Sequence, residues 1–122
     1  MSSQTIPDVK AFFGKLEQFP EGKKELGFIV HTLQFKMTDG APFYVEIKDG
    51  HADVREGELP NPNPEKVTTI ESDTQTLYDV MTGRLKPFRT FLTQRWVIDR
   101  RLAKFVIHSW IYRMFRIGQE IR

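Results

Sequence analysis

Asp49-Gly50-His51-Ala52-Asp53 is the stretch of this 122-residue chain best placed to do chemistry. Alternate residues of a strand project to one face, so two carboxylates and an imidazole would stand together as a divalent-metal ligand set. The same residues also make a tight turn followed by a solvated edge strand, and that reading is preferred, so no metal is assigned. His31 falls on an otherwise apolar strand face with no partner at catalytic spacing and reads as a satisfied core or rim histidine. His108 is expected on the exposed side of the last helix. There is no glycine-rich phosphate loop, nucleophile elbow or paired-carboxylate pattern. The absence of cysteine excludes disulfides, thiolate metal sites and cysteine nucleophiles. The chain is therefore read as non-enzymatic, with no catalytic residue and no cofactor.

Charge is the next chemical feature. Residues 1–83 hold 8 Lys or Arg against 14 Asp or Glu, whereas residues 84–122 hold 10 against 2, and the whole chain carries +2. Such halves can neutralise each other within one fold, or the basic half can make transient contact with an anionic membrane. Nucleic acid is not expected as a partner, because Trp96, Trp110 and Tyr112 fall on apolar faces instead of interleaving with the arginines. No run approaches the length of a membrane span and the first residues lack a signal-peptide pattern, which points to a cytoplasmic protein. The final Glu120-Ile121-Arg122 is not a peroxisomal address.

The elements that must position these groups follow from periodicity. Pro7 opens a helix with Val9, Phe12, Phe13 and Leu16 at helical spacing, ending near residues 19–22. From Phe28 the period becomes two: Ile29, Leu33, Phe35 and Met37 share one face, and Phe43, Val45 and Ile47 repeat the pattern. Asp39-Gly40 and Asp49-Gly50 are tight-turn signals, so strands over 29–38, 42–48 and 51–57 form an antiparallel meander. The Pro60-Asn61-Pro62-Asn63-Pro64 run cannot pair in a sheet interior and makes a stiff connection to a fourth strand at 67–70. Ser72 or Asp73 then caps a helix bearing Leu77, Val80 and Met81, which Gly83 closes. Pro87 starts a second short helix with Phe88, Phe91 and Leu92, residues 95–100 make a fifth strand, and a helix runs over 102–117. The expected fold is α+β, a five-stranded mixed sheet covered on one face by helices, in one domain over residues 1–122.

The run Met81-Thr82-Gly83-Arg84-Leu85-Lys86-Pro87, leading into Thr90-Phe91 and then a last strand and helix, resembles the sterol carrier protein 2 (SCP2) family. So do Lys36-Met37-Thr38-Asp39-Gly40, the Tyr44 to Gly50 strand and turn, and the extended segment at Val67 to Ile70, all in the family's order. The resemblance is strongest over residues 28–110. It implies lipid transport: a hydrophobic cavity between sheet and helices that carries an apolar lipid, whether a fatty acyl chain, a sterol or an isoprenoid. By position, the cavity walls would be Leu77, Val80, Met81, Phe88, Phe91, Leu92, Trp96, Ile98, Phe105, Val106 and Trp110, with Phe12 and Phe13 as additions. Ten phenylalanines and two tryptophans are a large apolar supply for a domain this small. Arg84, Lys86 or Arg89 at the mouth could pair with a carboxylate or phosphate head. Gln94 and Arg100 stand where the family commonly has glycine, and their side chains would narrow or redirect the cavity. The alternative is an accessory module that docks a membrane or a lipid-metabolism enzyme through the Arg-rich last helix, the partner protein being undetermined.

Overall fold

Asp49 and Gly50 both adopt positive φ, 53° and 79°, the left-handed pair that a two-residue hairpin requires. In the computed structural model, which describes residues 5–61, 63, 65–93, 95–98 and 105–120 and only the backbone of residue 105, this turn joins β2 (Phe43–Lys48) to β3 (His51–Glu56). Val45 lies opposite Val54 and Ile47 opposite Ala52. β1 (His31–Met37) runs antiparallel to β2. Its other neighbour is β4 (Val67–Ser72), which is parallel to it and itself antiparallel to β5 (Val97–Ile98). The five-stranded sheet thus has the order β3-β2-β1-β4-β5.

Strand alternation puts Leu33, Phe35, Phe43, Val45, Ile47, Ile70 and Ile98 on one face, and all are buried. The Phe35 and Phe43 rings stack across the strand pair at 4.9 Å. The opposite face is solvated, with Arg55 pairing to Glu46 at 3.1 Å and Asp53 at 2.8 Å. Gln34 is buried there, because residues 57–59 cross over it. Its Nε2 donates to the carbonyls of Phe43 (3.0 Å) and Gly57 (3.2 Å), and its Oε1 accepts from the Leu59 amide (2.9 Å). A polar residue expected on the solvent face is therefore buried as the pin of a strap. Pro62 and Pro64 lie outside the described residues.

Among the described residues, five helices cover the apolar face: α1 (Thr5–Gln18), α2 (Pro20–Leu26), α3 (Thr74–Met81), α4 (Pro87–Leu92) and α5 (Phe105–Glu120). α1 buries Val9, Phe12, Phe13 and Leu16. α2 is an addition to the sequence reading, which takes residues 19–22 as a stop. Phe19 is extended, and Pro20 restarts the helix at its first position, where proline has no intrahelical bond to lose. Gly22 then lies against the Leu16 backbone so closely that a Cβ would collide with it. Phe115 of α5 sits at the centre of the helical layer: it stacks on Phe12 at 5.2 Å and meets Trp96 edge-on at 5.1 Å. The architecture is the expected α+β mixed sheet with helices on one face, but several elements differ in extent. β1 begins at residue 31, β3 ends at residue 56, and β5 is two residues long among those described. The last helix runs on to residue 120, and residues 102–104, assigned to it from sequence, lie outside the described residues.

Candidate functional site

α3 is capped from two directions. Asp73 at its N-cap accepts from the Thr76 amide at 3.4 Å and from the Thr76 hydroxyl. Asp39, in the β1–β2 turn, accepts from the Thr74 amide and hydroxyl, each at 2.9 Å. These bonds favour the charged form and hold the Asp39 carboxyl below its ordinary range. At the other end Gly83 takes φ 87°, a left-handed stop. The turn beyond it is tied to α5, where the buried Gln119 donates from Nε2 to the carbonyls of Val80 (2.7 Å) and Leu85 (2.6 Å).

α4 is anchored lightly. Of its six residues only Pro87 and Thr90 are buried, and Thr90 accepts the amides of Arg95 (3.1 Å) and Trp96 (3.3 Å) at its carbonyl. Phe91 is half-buried, whereas Phe88 and Leu92 are 51% and 60% exposed. α5 carries Val106, 58% exposed, and Tyr112 and His108, which are half-buried. Tyr112 meets Phe88 at 5.2 Å and Phe91 at 5.9 Å, and the His108 ring lies 5.9 Å from Phe91. His108, expected to face solvent, is drawn into this aromatic seam because α4 packs over it.

The residues assigned to a cavity wall fall into two sets. Leu77, Val80, Met81, Trp96, Ile98 and Trp110 are buried within one continuous cluster shared with the sheet face, and Phe12 and Phe13 belong to the same cluster. Phe91 is half-buried and packs against that cluster, Phe88 meets Tyr112 at the α4–α5 seam, and Leu92 and Val106 are exposed on α4 and α5. The Phe105 side chain, Gln94 and Arg100 lie outside the described residues. Trp110 donates from its indole to the Glu25 carbonyl at 2.8 Å, while the buried Trp96 indole N–H finds no acceptor among the described residues.

A groove of ≈ 430 Å³ opens beside the seam, lined by Lys86, Pro87, Phe88, Ser109, Tyr112, Arg113 and Arg116. Arg113 pairs with Glu25 at 3.0 Å and lies over the Phe28 ring at 5.3 Å. Sequence reasoning gives Tyr112 an apolar face and the Arg-rich last helix a docking role, but nothing local shows that α4 will pack beside them. A second groove, of ≈ 450 Å³, lies between α1, α3 and α5, with Phe12, Tyr78, Met81 and Gly118 in its walls. Of the three cations named for the mouth, Lys86 reaches the first groove, whereas Arg84 points toward Asp79 at 3.9 Å and Arg89 is exposed.

The metal candidate is dispersed. His51 Nδ1 lies 2.7 Å from Glu17, and Asp53 is engaged with Arg55. Among the described residues no group of three or more His, Cys, Asp or Glu is placed to hold a metal ion. His31 is a satisfied core histidine, with Nε2 2.8 Å from the Thr68 hydroxyl. No described helix is long and apolar enough to cross a membrane.

Comparison with known proteins places these features. The model of the SCP-2 sterol transfer family matches residues 13–99. No curated protein matches the chain by sequence. Among solved structures, a sterol carrier protein 2 crystal structure is similar with TM-score 0.68 at 18% identity, over 97% of this chain and 98% of that one. The sterol carrier protein domain 2 of Helicoverpa armigera gives TM-score 0.67 at 18% identity, over 92% and 85%. A structure described as UbiJ-SCP2, a ubiquinone synthesis protein, gives 0.67 at 8% identity, over 99% and 93%.

Proposed function

The chain belongs to the SCP-2 sterol transfer family, and from that premise we propose that it is a non-enzymatic, cytoplasmic carrier of an apolar lipid. The lipid is a fatty acyl chain, sterol or isoprenoid, held between the sheet and the helices of one domain. The observation that supports this reading is the α4–α5 seam. Phe88, Leu92 and Val106 remain more than half exposed, while Phe91 and Tyr112 of the same two helices pack against a core that contains Trp96, Ile98 and Trp110. Adjacent exposed apolar side chains of this kind mark a surface that awaits an apolar partner.

α4 is the element that would admit the lipid. A six-residue helix with two buried residues has few contacts to lose, so local opening there is inexpensive relative to the rest of the fold. Displacing it would carry Phe91 off the core cluster it packs against, and that cluster, with Leu77, Val80, Met81, Trp96, Ile98 and Trp110, would supply the apolar surface for the chain. A chain of about sixteen carbons transfers roughly 12 kcal/mol of hydrophobic free energy at ~0.8 kcal/mol per methylene. Association and ordering offset part of that, which leaves binding at micromolar or tighter. One methylene more or less changes affinity little, so selectivity for chain length is low.

Docking of a membrane or enzyme through the last helix is less well supported. Of the arginines in the described part of α5, Arg113 is already engaged with Glu25, which leaves Arg116 exposed. Transient contact with an anionic membrane fits as an accompaniment to carriage, at ~1 kcal/mol per well-placed cation. Extraction of the purified protein into organic solvent, followed by mass spectrometry, tests the carrier reading. Lipid in stoichiometric yield is expected. Its absence, with no lipid taken up from vesicles by the emptied protein, would overturn the reading.

A further inference from the structure

β3 stands at the end of the sheet order, with β2 on one side of it and, among the described residues, no strand on the other. Its register with β2 is unbroken from Phe43 opposite Glu56 to Lys48 opposite His51, so no bulge twists it away. His51–Glu56 contains neither proline nor lysine, two of the residues that commonly blunt an exposed edge. The Gly57 amide bonds the Pro42 carbonyl at 2.9 Å, and hydrogen-bonded pairs alternate along an antiparallel ladder. Residues 51, 53 and 55 therefore bond β2, while the amides and carbonyls of Ala52, Val54 and Glu56 point away from it. β3 is thus a regular edge that can accept another strand.

We propose that β3 pairs antiparallel with β3 of a second copy of this chain, about a two-fold axis at Val54. The charges select this occupant. Asp53 and Arg55 flank Val54 with opposite signs, so the strand is complementary to itself when reversed. In that register the two Val54 residues form a hydrogen-bonded pair, and Ala52 of each copy lies opposite Glu56 of the other. Asp53 of each copy then stands opposite Arg55 of the other on the solvated face, at the positions where facing side chains come closest. No like charges are opposed, whereas a parallel pairing in register would set Asp53 beside Asp53 and Arg55 beside Arg55. Asp53 and Arg55 are exposed and already pair with one another and with Glu46 along this face, so the cross-copy pairs extend an ionic row without burying an unpaired charge. The dimer is closed and symmetric, since each copy uses the same edge. β3 is the edge opposite β5, so pairing leaves the α4–α5 seam free and is independent of what that seam binds.

The test is sedimentation equilibrium of the full chain over a concentration series at low and high salt. The wild type is expected to show a reversible monomer–dimer equilibrium that weakens as salt rises. Arg55→Asp and Asp53→Arg each make both cross-copy pairs repulsive, and each variant alone should dimerise about ten-fold more weakly or worse. An equimolar mixture of the two variants restores opposite charges at both positions and should dimerise as tightly as the wild type. Such rescue distinguishes pairing at this edge from a loss of folding, which thermal melts of each variant check separately. A wild type that stays monomeric up to about 1 mM, the limit of weak specific association, would overturn the proposal. So would a dimer that neither variant weakens, or a mixture that associates no better than its components.

Discussion

Asp39 and Asp73 converge on the first turn of α3 from very different places in the chain, and only one of them is visible in sequence. Asp73 precedes a helical pattern and is a recognisable N-cap. Asp39 reads as a turn residue, because its bond to Thr74 spans 35 positions. Asp73→Ala should lower stability by ~1 kcal/mol in urea unfolding, the usual cost of a lost cap. Asp39 has a folded pKa below its ordinary value of 3.8. Its contribution is therefore fully present above that value and is lost as pH falls through the lower, folded one. Asp39→Asn should accordingly be less stable than wild type at neutral pH and converge with it in acid, as followed by thermal melts across pH. Gly118 makes a further point at this scale. A Cβ there would run into the Phe12 ring, which stacking on Phe115 prevents from moving away. Gly118→Ala should cost about 1–3 kcal/mol by overpacking, although in sequence Gly118 is merely an unfavourable residue inside a helix.

At the scale of elements, legibility tracked how local the determining signal is. The β1–β2–β3 meander is readable because alternation marks the strands and the Asp49-Gly50 turn fixes the β2–β3 register, whereas Asp39-Gly40 falls in a longer connection over 38–42 and not in a two-residue turn. α2 was missed because Phe19-Pro20-Glu21-Gly22 serves equally as a stop and as a restart. The choice is made by close packing of Gly22 on Leu16, a tertiary fact. The burial of Gln34 was hidden for the same reason, since only the strap at 57–59 converts an outward strand position into a buried one. α4 was found from Pro87, but its outward display of Phe88 and Leu92 was not: short apolar helices usually turn those residues inward. Because these two side chains are more than half exposed, Phe88→Asp with Leu92→Asp should leave the melting temperature within a degree or two while weakening lipid binding at least ten-fold. Phe115→Ala is the contrasting case. It removes the ring that joins Phe12 to Trp96 and should cost about 3–5 kcal/mol, measured by denaturant unfolding.

For the whole molecule, the α+β architecture and the family are legible because patterning along most of the chain agrees with one arrangement. The functional site is less so. An apolar side chain that faces a lipid carries the same sequence signal as one that faces another side chain. Leu77, Val80, Trp96 and Trp110 accordingly looked no different from Phe88 and Leu92, yet the structure sets the first group in the packed cluster and leaves the second exposed on α4, beside its seam with α5. The charge asymmetry was equally plain in sequence, but only packing of α4 beside α5 gathers Lys86 and Arg116 around one groove. The central claim is that this seam admits a lipid, and titration of a fluorescent fatty acid into the wild type and the Phe88→Asp, Leu92→Asp variant tests it most directly. Saturable one-to-one binding at micromolar or tighter affinity in the wild type, weakened at least ten-fold in an equally stable variant, is predicted. No saturation in the wild type, or identical binding by both proteins, would contradict it.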